Sequence, residues 1–193
     1  MKNVIMLVGV NGVGKSAISK KLKEEKGDTI IISASNILKN AFGGMTYAEL
    51  EEVSPEEKFK KLELITIRLF TKNSANTIIL DTHLVACNRL NENVTFENMW
   101  SDKYIPFIRN LFLIRVNPEE ILRRRKMDEM KPGRIRDTNL DNIIADQQRN
   151  QREYEALAAR NVVDCAVIDN SGELSEAVNE IKEKIEMNYP AAS

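Results

Sequence analysis

Short apolar runs alternate along this chain with longer stretches of mixed polarity. Runs of strand type occur at Val4–Val8, Thr29–Ile32, Thr77–Leu80, Leu111–Val116 and Val162–Ile168. Most are continuous rather than alternating in polarity, as in strands covered on both faces. The stretches between them read as helices. "KSAISKKLKEE" follows the first run. "SPEEKFKKLELITIRLF" opens with Ser54 as a cap, Pro55 at the first helical position and two glutamates behind it. "NPEEILRRRKM" repeats that entry with Asn117 and Pro118; cap, proline and early acids are start signals. In "GELSEAVNEIKEKIEM", Leu174, Val178, Ile181 and Ile185 share one face. Strands alternating with helices predict an α/β fold, a parallel sheet wound by right-handed crossovers. Such sheets bind ligands at the carboxyl ends of their strands. No repeat, low-complexity tract or long linker interrupts the pattern, so residues 1–193 read as one domain.

One helical stretch departs from a simple apolar stripe. In "TNLDNIIADQQRNQREYEALAAR" one face reads Leu140, Ile144, Gln147, Gln151, Tyr154, Ala158. Apolar ends bracket a polar middle. Such a face either borders a wet site or is partly exposed.

The turn after the first strand carries the strongest chemistry. Gly9-Val10-Asn11-Gly12-Val13-Gly14-Lys15-Ser16 satisfies G-x-x-x-x-G-K-[ST], the Walker A pattern, between an apolar strand and a helix. Its glycines let backbone N–H groups turn toward phosphate oxygens, and the helix adds its positive end. Gly9, Asn11, Gly12, Val13, Gly14, Lys15, Ser16 and Ala17 are therefore expected to cradle ATP. Lys15 would reach the β- and γ-phosphates and Ser16 would hold Mg²⁺. "TIILDTH" is a buried strand ending in Asp81, whose carboxylate would hold Mg²⁺ opposite Ser16.

Bulk composition narrows the partners. A formal net charge of −1 points to neither a nucleic-acid coat nor a membrane surface. Cys87 and Cys165 form no CxxC pair, and with a single histidine a Cys/His zinc site is not expected. Free thiols suit a reducing cytoplasm. No apolar run approaches a membrane span, and the apolar start leads into a glycine loop rather than a signal cleavage site. The expected partners are small-molecule nucleotides, with a homo-oligomer permitted.

Arginine is distributed unevenly. The chain has 12, none before Arg68, and ten fall between Arg109 and Arg160. The dense part, "EILRRRKMDEMKPGRIRDTNL", ends a helix at Arg123–Arg125, turns at Pro132 and Gly133, then supplies Arg134, Arg136 and Asp137. Arginines hinged at glycine and proline suit a lid over about residues 124–138 that neutralises charge in phosphoryl transfer.

Together "GVNGVGKS", "LDTH" at Asp81–His83, "RRKMDE", "RIRD" and the Gln-rich helix resemble the nucleoside monophosphate kinases, most closely the archaeal type of adenylate kinase. The resemblance implies a three-layer P-loop fold with a five-stranded parallel sheet in order 2-3-1-4-5. It also implies a short arginine-rich lid and Mg²⁺-dependent transfer from ATP to AMP. By position Arg124, Asp128, Arg134, Arg136 and Gln147 match the family's lid elements. The acceptor region would span about residues 33–75. Asn36, Lys39, Arg68, His83 and Arg89 are its candidate ligands, His83 as a hydrogen-bonding group near the acceptor.

The stretch Ser33–Lys58 contains no arginine, whereas adenylate kinases grip the AMP phosphate with one there. A kinase of the shikimate or gluconate type, with a hydroxyl acceptor, is the alternative. Such kinases usually offer an Asp after strand two, and "IIISASN" offers only Ser33, Ser35 and Asn36. A third reading is an adenylate-kinase-like ATP-binding protein acting through partners. A GTP switch would need N-K-x-D, which the sequence lacks; its D-x-x-G is "DNSG" near the C-terminus.

Overall fold

The computed structural model describes residues 3–25, 27–46, 49–50, 52–88, 95–129 and 137–188. Arg89, Arg134 and Arg136 lie outside the described residues. Among the described residues seven strands and six α-helices follow in order: β1 Asn3–Val8, α1 Lys15–Glu25, β2 Thr29–Ser33, α2 Ala34–Ala41, α3 Pro55–Lys72, β3 Thr77–Asp81, β4 Val85–Asn88, β5 Thr95–Asn98, β6 Ile108–Arg115, α4 Pro118–Glu129, α5 Leu140–Ala159, β7 Asp164–Asp169 and α6 Leu174–Asn188.

Five strands form one parallel sheet in the order β2-β3-β1-β6-β7. With β4 and β5 left out of the count, this is the 2-3-1-4-5 order that the resemblance implies. Two cores follow from the alternation of side chains along β1, β3 and β6. Met6, Leu80, Leu111 and Leu113 face α2, α3 and the C-terminal half of α5. Ile5, Leu7, Phe112 and Ile114 face α1, α4 and α6, with Ile143 at the start of α5. These three layers explain the continuous apolar runs, since both faces of the central strands are buried.

The start signals work as read. Ser54 accepts a hydrogen bond from Glu57 N and Asn117 Oδ1 accepts one from Glu119 N at 2.9 Å. The arginine-rich helix runs further than expected: α4 continues past Arg125 to Glu129. Leu, Arg, Lys, Met and Glu are all strong helix formers, and glycine and proline appear only at Pro132 and Gly133.

No pattern along the chain signals the antiparallel ribbon β4–β5, in which Val85 pairs with Asn98 and Cys87 with Phe96. It lies outside the main sheet, clamped between α3 and α5. Asn150 of α5 ties the start of the ribbon to the helix: Oδ1 accepts from Leu84 N and Val85 N, and Nδ2 donates to Val85 O and to Asp146 O of its own helix. From α3, Lys58 donates to Glu97 of β5 at 2.6 Å, with both side chains buried. Breaking such a pair from one side strands a buried charge, so Lys58→Ala should cost roughly 3–5 kcal/mol in urea unfolding. Lys58→Met with Glu97→Leu should recover most of that loss, because neither charge is then stranded. Equal destabilisation in the single and double variants would show that the pair is not what ties the ribbon to α3.

Neither cysteine forms a disulfide, and both are half-buried. Burial pushes the Cys165 thiol up to about 11, so it stays protonated at neutral pH. Among the described residues no helix is long and apolar enough to cross a membrane.

Candidate phosphate-binding site

Strand register assembles the site. Asp81 pairs with Leu7 on one side and Ser33 on the other, so its carboxylate stands at the carboxyl edge of the sheet, two residues before Gly9. Thr82 N donates to Leu7 O at 3.1 Å and extends the pairing to the mouth of the loop. The loop bends at Gly9, Gly12 and Gly14, with φ of +140°, +97° and +92°. Two of these positions also lack room for a side chain. A Cβ on Gly9 would lie 2.6 Å from Ile114 O, and one on Gly14 would collide with the Asn170 amide. Gly14 O then accepts from Ala17 N and Ile18 N at 3.0 Å, which starts α1.

The first turn of α1 contains no acidic residue, so its positive end is not offset there. Lys15 is buried and donates to Gly9 O at 2.7 Å and to Val10 O at 3.1 Å; its Nζ lies 3.9 Å from Asp81 Oδ1. Ser16 Oγ donates to Asp81 Oδ2 at 2.7 Å. His83 Nδ1 lies 2.6 Å from Gly9 O. A carbonyl only accepts, so Nδ1 carries the proton in this contact. Gly9, Lys15, Ser16, Asp81 and His83 thus form one hydrogen-bonded cluster. Among the described residues no group of three or more His, Cys, Asp or Glu side chains makes a protein-only metal site. Two adjacent oxygen donors, Ser16 and Asp81, suit Mg²⁺ instead, which takes few protein ligands and shares its shell with phosphates and water.

A second set of side chains grips the outside of the loop, and sequence reasoning missed most of it. Asn170, just after β7, is buried; its Nδ2 donates to Val13 O at 2.8 Å and its N–H to Arg115 O at 2.8 Å. Arg125 is buried too. Its Nε donates to Asn11 O at 3.0 Å and its Nη1 to Asp137 O at 2.7 Å, joining the loop to the C-terminal end of the segment expected to be the lid. Arg124 reaches the same area: Nη2 donates to Asn170 O at 2.9 Å and Nε to Glu120 at 2.7 Å. Hydrogen bonds from Arg123 and Arg124 hold the Glu120 carboxyl down at about 2. The signal for Asn170 was present in "DNSG", an asparagine directly after an apolar run of strand type.

The remaining candidates are scattered. Gln147 donates to Val116 O at 2.7 Å and lines a cleft beside the loop. Asn36 and Lys39 lie on α2, the first exposed and the second half-buried. Arg68 is exposed on α3. Asp128 is half-buried near the end of α4.

A glycine loop bent this way, with a lysine at the head of a helix and a serine–aspartate pair at the sheet edge, defines a P-loop domain. The chain belongs to the family described as AAA_17, AAA domain, whose model matches residues 8–144. No curated protein matches it. Among the solved structures similar over nearly the whole chain are three shikimate kinases. The one from Acinetobacter baumannii, in complex with shikimate, has 16% identity and a TM-score of 0.62, covering 98% of this chain and 96% of that one. The one from Bacteroides thetaiotaomicron has 14% identity and a TM-score of 0.66, with 96% and 98% covered. The one from Aquifex aeolicus vf5 has 16% identity and a TM-score of 0.63, with 98% and 99% covered. At such identities the likeness speaks for the fold, which is that of a P-loop kinase-like protein.

Proposed function

We propose that this protein is a Mg²⁺-ATP-dependent phosphotransferase whose acceptor is a small molecule bearing a hydroxyl group. The observation that carries the reading is the cluster at the sheet edge, where Lys15, Ser16 and Asp81 converge on one loop. Lys15 holds the donor phosphates and Ser16 with Asp81 holds Mg²⁺. The metal, when bound, neutralises charge on the phosphate oxygens. The acceptor oxygen forms a bond to the γ-phosphorus as the bond to the bridging oxygen breaks, ADP departs, and the hydroxyl proton passes to water. Arg124, with Arg134 and Arg136, offsets the charge that develops.

The acceptor side supports a hydroxyl over a phosphate. The only arginine in the acceptor region, Arg68, is exposed, and the buried cation there, Lys58, is already neutralised by Glu97. A dianionic phosphate is gripped best by a buried, bidentate arginine, and the described residues of this region place none there. Likeness in shape to shikimate kinases favours the same choice. A nucleoside monophosphate acceptor is the second reading. The lid-edge motifs "RRKMDE" and "RIRD" favour it, since arginines there can grip two phosphorylated substrates.

The test is ADP release with Mg-ATP against AMP, CMP, UMP, GMP and dTMP in one arm, and shikimate, gluconate and simple ring alcohols in the other. Acceptor-dependent turnover in the hydroxyl arm is the expected result. Turnover confined to the monophosphates would replace the reading with the second one. Slow hydrolysis indifferent to every acceptor would leave an ATPase and remove both.

A further inference from the structure

Beside the phosphate loop a cleft of about 710 Å³ runs between the carboxyl-terminal halves of β6 and β7 and the first half of α5. Small-molecule sites typically enclose roughly 300–1,000 Å³, well beyond the needs of an inorganic ion. The cleft has Leu113, Arg115 and Val167 from the sheet on one side and Ile144, Gln147 and Gln151 from α5 on the other. None of Lys15, Ser16 and Asp81 lines it, and Gly9 and Val10 of the phosphate loop close one end.

Three features of this lining call for a ligand. Arg115 is exposed at the last position of β6, and its guanidinium makes no hydrogen bond or ion pair with the described residues. The other charged residue along the cleft, its strand neighbour Asp169, instead accepts from Ser171 N at 2.8 Å. Gln151 is fixed in orientation, because Nε2 donates to Glu155 at 2.6 Å and a flipped amide would set oxygen against carboxylate. Its Oε1 is then left buried with no donor among the described residues, a costly state for a polar atom. Finally, the apolar face of α5 is broken by Gln147 and Gln151 at the turns that border the cleft, and Val167 opposite them is 39% exposed. A core would have placed leucines against that valine.

We propose that this cleft is a second small-molecule site, built for an organic anion with a flat ring that carries an N–H or O–H donor. The guanidinium of Arg115 takes the anion bidentately. Gln151 Oε1 accepts from the ring, and Ile144, Leu113 and Val167 hold its faces. The shape explains why the ligand is organic, and the unmatched arginine explains why it is negative.

Orotate, benzoate and uracil separate the requirements: orotate has a carboxylate and ring N–H groups, benzoate lacks the donor, and uracil lacks the anion. Binding to the full chain is followed by calorimetry and by the ¹⁵N signals of glutamine side chains. Orotate is expected to bind at about 1 mM or tighter, at least tenfold better than benzoate or uracil, which one good interaction provides. The Gln147 and Gln151 signals should shift, and saturating Mg-ADP should not displace orotate. Arg115→Gln and Val167→Trp should each weaken orotate at least tenfold while still binding Mg-ADP, which shows that they fold; Lys15→Ala should leave orotate unaffected. No saturable orotate binding, displacement by Mg-ADP, or indifference to both cleft variants overturns the proposal.

Discussion

Replacing Lys15 by alanine should lower kcat/KM for phosphoryl transfer by about 10³-fold or more, because a buried, preorganised charge is lost from the point where charge develops. The lysine is held in place from both ends. Its backbone opens α1, and its ammonium is bonded to Gly9 O and Val10 O across the bend. Little water reaches it, at 6% exposure. Stability should change little, since alanine is the better helix former and Gly9 O keeps the His83 contact. Lys15→Arg serves as the informative control. It keeps the charge but replaces a compact ammonium with a planar fork, which the space between two carbonyls does not suit, so its rate should also fall. The measurement is coupled ADP release, with thermal unfolding run alongside. An alanine variant that turns over at the parent rate would remove Lys15 from the donor site and the phosphotransferase reading with it.

The architecture was legible because its signals are local. Val4–Val8 and Thr77–Leu80 read as strands since both faces are buried and no polar residue interrupts their apolar runs, and Thr29–Ile32 read as one from its apolar run although Ile31 of this edge strand is exposed. The phosphate loop was legible for the same reason: positive φ at Gly9, Gly12 and Gly14 leaves a fixed spacing in the sequence. The ribbon β4–β5 was not legible. Its strands have four residues each, and what holds them is a set of distant partners, Asn150, Lys58 and Arg149, the last stacked 3.5 Å over the Phe96 ring. The outer grip on the loop was hidden likewise. Arg125 was visible only as one of three consecutive arginines, and helix geometry alone sends it to Asn11 O while Arg123 turns to Glu120 at the surface. Asn170 acts across 157 residues on Val13, a separation over which local pattern carries no information.

Asp81→Asn should reduce kcat/KM by about 10²-fold at low millimolar Mg²⁺, a loss typical of one electrostatic group in a dry site. The substitution is close to isosteric. Ser16 Oγ can still donate to the remaining oxygen, now at 2.7 Å from a carboxylate, so the strand end and the loop should keep their shape. What disappears is the negative charge that suits a divalent cation. The defect should therefore appear first as a raised Mg²⁺ requirement, and excess Mg²⁺ should recover part of the rate. Metal-free ADP binding should be unchanged or slightly better, because a carboxylate is withdrawn from the neighbourhood of phosphate. Ser16→Ala should shift the Mg²⁺ dependence in the same direction. The double variant should lose less than the product of the two single losses, as expected of ligands that act on one ion. Rates followed against Mg²⁺ concentration decide the matter. If Asp81→Asn lowers the rate equally at every Mg²⁺ concentration, or if the two substitutions multiply independently, the serine–aspartate contact is a structural hydrogen bond and the metal is held elsewhere.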